Sequence, residues 1–292
     1  VGTRWWHVVI GGAVLVALAG CGGEGAESSE EGRERTATSR ATAEDEAADE
    51  ASDADEAVGA PQAPGGTEPS DEEAVEWLDR ARQAAGDVTE VRMRADMTAE
   101  GTQMITELVV SGDRCTTSLE YPGLGVTDAV HVGDELWVRP AEPYWWNTEG
   151  GQDSFDTYAG AYVRGPQEHP HLRFLGCRSA FAVLDEDEPG ADYTHRMGPE
   201  TVVDGQRAVT VLVRQTQPEG TSEQTIMIAA EGDPHVLQMR VSTEFDMHGG
   251  RSMYTVYEWA DYGRPTAIEP PADDVTVHID DLAERDNPFP LE

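Results

Sequence analysis

From Val88 onward, apolar residues recur at every second position. Val91, Met93, Ala95 and Met97 alternate with Arg92, Arg94 and Asp96. Leu237, Met239, Val241, Thr243, Phe245 and Met247 alternate with Gln238, Arg240, Ser242, Glu244 and Asp246. Successive strand side chains point to opposite faces, so this period predicts antiparallel strands with one wet face. Similar stretches predict strands at 102–111, 126–132, 135–139, 207–216, 224–230 and 252–260. Turn residues separate them: Gly133-Asp134, Asp204-Gly205, Gly232-Asp233-Pro234 and Gly249-Gly250. Ahead of the strands, Ser70-Asp71-Glu72-Glu73 reads as a capping box with Ser70 as N-cap and acids at the positive helix end. Val75, Leu78 and Ala81 or Arg82 then fall near one face of a helix that Gly86 ends. Two more helical stretches, near 155–162 and 172–184, interrupt the strand series. No internal repeat stands out. The sum is an α+β domain: one long helix, a large antiparallel sheet, and one or two helices inserted midway.

The first 73 residues carry neither period. Arg4 precedes an apolar run from Trp5 to Ala19. That run is shorter than the roughly 20 residues a bilayer span needs and close to a signal-peptide core. Leu18-Ala19-Gly20-Cys21 resembles the bacterial lipobox, in which the cysteine thiol takes a diacylglyceryl group and becomes the new N-terminus. The resemblance implies a signal peptide over 1–20, a Cys21 lipidated with acyl chains such as palmitate, and a chain held at the extracytoplasmic face of the cell membrane. An ordinary signal peptide with an incidental cysteine is the alternative. Two acyl chains anchor stably where one would be marginal.

Charge extends this picture. Residues 22–73 hold 17 acidic and 3 basic residues and almost no aliphatic or aromatic side chain before Val75. Such a segment buries too little to offset the entropy of ordering, so residues 21–73 are expected to be a disordered tether. Its r.m.s. reach is on the order of 40 Å, lengthened by like-charge repulsion. An acidic interaction tail is the rival, without interleaved hydrophobic residues to give a partner specific contacts. Of the total net charge of −37, most remains on residues 74–292, one domain's length of chain. A surface this acidic repels nucleic acid and anionic headgroups, which argues against both as direct partners. All 20 basic residues are Arg; with the initial Val this points to a GC-rich, actinobacterial genome.

If Cys21 carries lipid, Cys115 and Cys177 remain as a pair in an oxidising compartment, where a disulfide is expected. It would contribute about 4 kcal/mol at most. A metal site with His169 and His171 is the alternative, although the spacing fits no common zinc pattern. No catalytic constellation is found: there is no G-x-S-x-G, no H-E-x-x-H and no phosphate-binding glycine loop. His131, His195, His235, His248 and His278 show no ligand spacing with one another. The run Asp185-Glu186-Asp187-Glu188 lacks the alternation and glycine of a calcium loop. A non-enzyme without metal or cofactor is therefore expected.

Three segments carry a family resemblance: Val203-Asp204-Gly205, Gly232-Asp233-Pro234, and Asp261-Tyr262-Gly263-Arg264-Pro265. Their order and spacing resemble the LolA-like superfamily of lipoprotein carriers, closest to the actinobacterial LppX/LprG-type lipoproteins, over roughly residues 74–279. The resemblance implies a strongly curved antiparallel half-barrel, closed by α-helices over an apolar cavity that holds lipid acyl chains. Periplasmic regulators share the superfamily, so a regulatory or sensor module binding another exported protein stays open as a second reading. The Cys115/Cys177 pair, the acidity and the absence of lysine depart from the family pattern. Methionine adds independent support. Seven of eight Met residues (Met93, Met97, Met104, Met227, Met239, Met247, Met253) fall on predicted strands, and flexible Met suits a surface for variable acyl chains, or equally fills gaps in an ordinary core. The expected cavity residues are Val91, Met93, Met97, Met104, Leu237, Met239, Val241, Phe245, Met253, Tyr257 and Trp259. Tyr144-Trp145-Trp146 either lines the cavity mouth or anchors a loop to the core. A monomer is expected.

Overall fold

A computed structural model describes residues 71–170, 172, 180–185, 190–218, 220–245 and 251–289. The signal segment, Cys21, the tether, Ser70, Cys177 and Met247 lie outside the described residues. Helix α1 spans Glu72–Gly86 and is capped by Asp71, whose carboxylate accepts from the Glu73 backbone N–H at 3.0 Å. The cap is one residue later than the expected Ser70. The buried stripe of α1 is Ala74, Leu78 and Ala81, while Val75 is only half-buried.

The strands follow as β1 (Glu90–Ala99), β2 (Thr102–Ser111), β3 (Arg114–Tyr121), β4 (Gly125–Val132) and β5 (Glu135–Arg139). Two short helices interrupt them, α2 (Glu142–Trp146) and α3 (Gln152–Tyr158), before β6 (Tyr162–Pro166). Then come β7 (Asp192–Met197), β8 (Thr201–Val203), β9 (Gln206–Gln217), β10 (Gly220–Ala229), β11 (Val236–Phe245), β12 (Arg251–Ala260) and β13 (Thr276–His278). Among the described residues they form a single 13-stranded sheet in the order β13-β6-β5-β4-β3-β2-β1-β12-β11-β10-β9-β7, with β8 also on β9. The two ends of this path do not pair, so the sheet is unclosed.

The expected all-antiparallel sheet needs one correction: β13 joins β6 in parallel. β6 and β13 are far apart in sequence, so no hairpin dictates their direction. The Asp204-Gly205 turn between β8 and β9 has φ of +48° and +83°, the mirror-image turn a two-residue hairpin favours.

The midway helices are shorter than the sequence suggests. Residues 155–162 split into the end of α3 and the start of β6, with Gly160 (φ +81°) between them. Within 172–184, the helix described is one 3-10 turn, Ala182–Leu184. Strand β3 was not expected because its inner positions, Cys115, Thr117, Leu119 and Tyr121, mix polar with apolar residues and blur the period.

One core cluster joins α1 (Ala74, Leu78, Ala81) to β1–β3 (Val91, Leu108, Cys115), to β9–β12 (Val211, Ile226, Met239, Trp259), and to Phe181 and Leu184. Strands β3 and β9 stand far apart along the sheet, so their meeting in one cluster requires strong curvature around α1. A second cluster covers the β4–β6 end: Ala129, Leu136, Val138 and Val163 pack with Trp145, Leu172, Ile279 and Phe289. On the outer face, Ile268 packs on Val130 and Trp137 and its carbonyl accepts from Arg114 at 2.8 Å. The last turn is tied in where Ser154 Oγ donates to buried Asp286 at 2.6 Å. Met239 is fully buried at the centre of the first cluster. Met239→Ala is expected to cost about 2–5 kcal/mol. In urea unfolding the midpoint should fall at unchanged slope; a change under about 0.5 kcal/mol, typical of surface positions, would contradict the packing.

Candidate functional site

Strand register assembles the inner face into transverse rows. One row runs Met197–Val211–Ile226–Met239–Tyr257–Ala95–Thr106–Leu119. The next runs His195–Val213–Gln224–Val241–Thr255–Met97–Met104. A third, Tyr193–Gln215–Ser222–Thr243–Met253–Ala99–Thr102, is markedly more polar, and Thr243 Oγ1 donates to Ser222 Oγ at 3.3 Å within it. On the other side of the first row, Trp259–Met93–Leu108–Thr117–Ala129–Val138 leads into the second core cluster. The inner face is thus a gradient, apolar beneath α1 and increasingly polar away from it.

Ten of the eleven expected cavity residues share this face by register or cluster: Val91, Met93, Met97, Met104, Met239, Val241, Phe245, Met253, Tyr257 and Trp259. Leu237 does not. A register shift in the β10–β11 pairing, between Met227 and Ile228, turns Val236 inward and Leu237 outward. Leu237 packs on the opposite face with Ala208, Met227 and Ala229. The same register places Leu108, Val211, Val213, Ile226 and His131 on the inner face; of these the sequence reading named His131 alone, and only as lacking ligand spacing. The alternation within 102–111, 207–216 and 224–230 held that signal for four of them.

Most of this surface is already in contact with protein. Trp259 stacks on Phe181 at 6.0 Å and on Tyr257 at 5.8 Å, and its Nε1–H donates to the Ala180 carbonyl at 3.0 Å. Met93, Met97, Met104, Phe245 and Tyr257 remain half-buried. A pocket of about 350 Å³ enters the face at the C-terminal end of α1, between Ala85, Val88, Val91, Val110, His131 and Phe181. A separate, more polar cleft of about 560 Å³ lies between α1 and the 233–235 turn, beside Arg80, Asp87 and His235. His235 stacks there on Tyr262 at 4.2 Å, and the Tyr262 hydroxyl donates to the Val236 carbonyl.

Trp145 is fully buried and stacks on Tyr158 at 5.4 Å, so this member of the Tyr144-Trp145-Trp146 cluster anchors α2 to the core. Trp146 is 47% exposed and leans on Phe155 at 4.6 Å. Tyr144 lies near Tyr121; burial first, and then that neighbour, raise its pKa. Burial also raises the pKa of Tyr257 and, further, of Tyr262. Cys115 is buried in the first cluster beside Ala180 and Phe181. His169 sits 3.9 Å from Asp280, while His171 and Cys177 lie outside the described residues. Among the described residues no three His, Cys, Asp or Glu side chains are grouped to hold a metal. No helix among them is long and apolar enough to cross a membrane.

Comparison of the fold gives a likeness to the lipoprotein LppX of Mycobacterium tuberculosis, at 12% identity over 68% of this chain and 100% of that one, with a TM-score of 0.43. The fold is similar to that of LppX. An uncharacterized conserved protein of Thermus thermophilus is also similar, at 13% identity over 71% of this chain and 99% of that one, with a TM-score of 0.36. No protein-family model matches the chain, and no curated protein matches it.

Tyr257 generates a pH prediction. Its folded-state pKa is raised, so the protonated phenol is favoured by folding. That contribution is full below the unfolded value of about 10 and is lost as pH rises through the folded one. Urea unfolding from about pH 8 to about pH 11 should show stability falling at the alkaline end, less steeply in Tyr257→Phe. An identical alkaline fall in the two proteins would contradict this burial.

Proposed function

We propose that this chain is a membrane-anchored exported lipoprotein that binds or carries lipid acyl chains on the apolar inner face of its sheet. The observation that carries the reading is the register that gathers Val91, Met93, Met97 and Met104 with Met239, Val241, Phe245, Met253, Tyr257 and Trp259 on one face. Each buried methylene contributes about 0.8 kcal/mol, so a face of this width can hold an acyl chain without any charged contact. Methionine side chains adapt to chains of different shape. Because Met239, Val241 and Trp259 are buried against α1 and Phe181, a long chain enters by displacing those elements outward from the 350 Å³ pocket. α1 and the 180–184 segment are the parts proposed to close the face over its ligand.

Cys21 would hold the chain at the membrane through the acidic tether, and the domain's own negative charge would keep it from adhering to anionic headgroups. A Cys115–Cys177 disulfide would fix the segment before Ala180 against β3. It is supported by the burial of Cys115 beside Ala180 and Phe181, the first of them only three residues on from Cys177.

Native mass spectrometry of the chain purified from a lipid-replete host tests the ligand. Lipid is expected to co-purify and, after delipidation, to rebind at one equivalent. Recovery of no lipid, with no rebinding, would sink the reading. Mass mapping without reductant should find Cys115 joined to Cys177. Two free thiols would end that part. Cys21→Ser should release the chain from membranes into the soluble fraction; unchanged membrane retention would contradict the anchor.

A further inference from the structure

The inner-face row nearest the pocket runs Val91–Val110–Cys115–His131–Leu136–Gly165. It is apolar except for one imidazole. His131 stands where the first core cluster ends, at Cys115, and the second begins, at Leu136. Its ring forms part of the wall of the 350 Å³ pocket, whose other walls combine Val88, Val91, Val110 and Phe181 with the charged pair Asp113 and Arg114. Its Nε2 atom is buried and, among the described residues, makes no hydrogen bond. A buried nitrogen left unpaired is costly, and in native structures such a group usually marks a water or a ligand. A leucine at this position would complete the row at no such cost.

Resting on the reading that the inner face binds acyl chains, we infer that His131 is the polar anchor of the ligand and selects a lipid whose head is an uncharged oxygen group, an ester or an alcohol. The chain would lie along Val88, Val91, Val110 and Phe181, and the head oxygen would hydrogen-bond to Nε2. A pocket of this volume falls within the usual range for small ligands, where one or two polar groups among apolar walls fix orientation. The head is uncharged because the fixed charges around the pocket leave no excess cation: Arg114 and Asp113 stand on the same wall and offset each other. The Arg114 guanidinium also donates through Nη1 to the Ile268 carbonyl on the outer face. Asp113 stands on the pocket wall and Asp87 at the end of α1, and both repel a carboxylate. This assigns to one residue a specificity that apolar packing alone cannot supply, since removing an unmatched polar partner discriminates far more sharply than adding a methylene.

The test uses the delipidated full chain, titrated calorimetrically with methyl oleate, oleyl alcohol, oleate at neutral pH and 1-octadecene, each presented in cyclodextrin, in wild type and His131→Leu. Wild type should bind the ester and alcohol about tenfold more tightly than the hydrocarbon, the worth of one hydrogen bond in a dry site. Oleate should bind more weakly than the ester. His131→Leu should lose the ester and alcohol preference while holding the hydrocarbon affinity, and its unligated Tm should equal or exceed that of wild type. A retained ester preference in the variant would overturn the role of His131 and leave the lipid reading standing. Oleate binding most tightly would overturn the uncharged head. A melting point several degrees lower would mean that Nε2 has a protein partner, which also overturns the inference. Failure of wild type to bind any of the four would sink the lipid reading itself.

Discussion

Helix α1 meets the sheet through Ala74, Leu78 and Ala81, a stripe of small and medium side chains set between β1–β3 and β9–β12 of one curved surface. Alanine at two of these positions allows the helix backbone to approach the sheet closely. Leu78 supplies the bulk that fills the space between β1–β3 and β9–β12. Phe181 and Leu184 complete the cover, and Trp259 ties it down through its hydrogen bond to Ala180. Without this contact the inner rows would present a broad apolar surface to water, a surface that soluble proteins rarely leave open. The sheet is unclosed, so it relies on this cover rather than on edge-to-edge pairing.

The gradient across the inner face gives the cover its character. Rows beneath α1 are filled with the buried side chains Val211, Ile226, Met239 and Val91. Toward the far row, Ser222, Thr243 and Gln215 take over, and the Ser222–Thr243 hydrogen bond satisfies two buried hydroxyls. The surface is thus apolar at one end and polar at the other. The outer face is organised differently. Arg94–Glu107, Arg92–Asp261 and Arg164–Glu135 are exposed or half-exposed ion pairs that water screens, so they add solubility rather than cohesion.

Much of the inner face was legible before the structure, because period-two alternation is a direct record of which side of a strand a residue occupies. Met93 through Met97 and Met239 through Phe245 could be assigned to one face on that ground alone. Leu237 could not be placed, since a single irregularity in pairing reverses a side chain and leaves no mark in the alternation. Strand β3 was hidden by its threonines and serine, and β13 by having three residues and a partner distant in sequence. The α1 start was read one residue early because Ser70 and Asp71 are both competent caps. His131 was noted only as lacking ligand spacing; its lone place in an apolar row appears once β3, β4 and β5 are aligned.

The central claim, that acyl chains lie on the inner face beneath α1, is tested most directly by fluorine NMR of the chain carrying 5-fluorotryptophan, titrated with a spin-labelled fatty ester. Single Trp→Phe substitutions assign the resonances. Trp259 lies on the inner face and Trp77 packs against the same cluster, whereas Trp137 belongs to the outer face with Val130 and Ile268. Selective, saturable broadening of Trp259 and Trp77 with a sharp Trp137 is the predicted result. Equal broadening of all three, or broadening confined to Trp137, would contradict it.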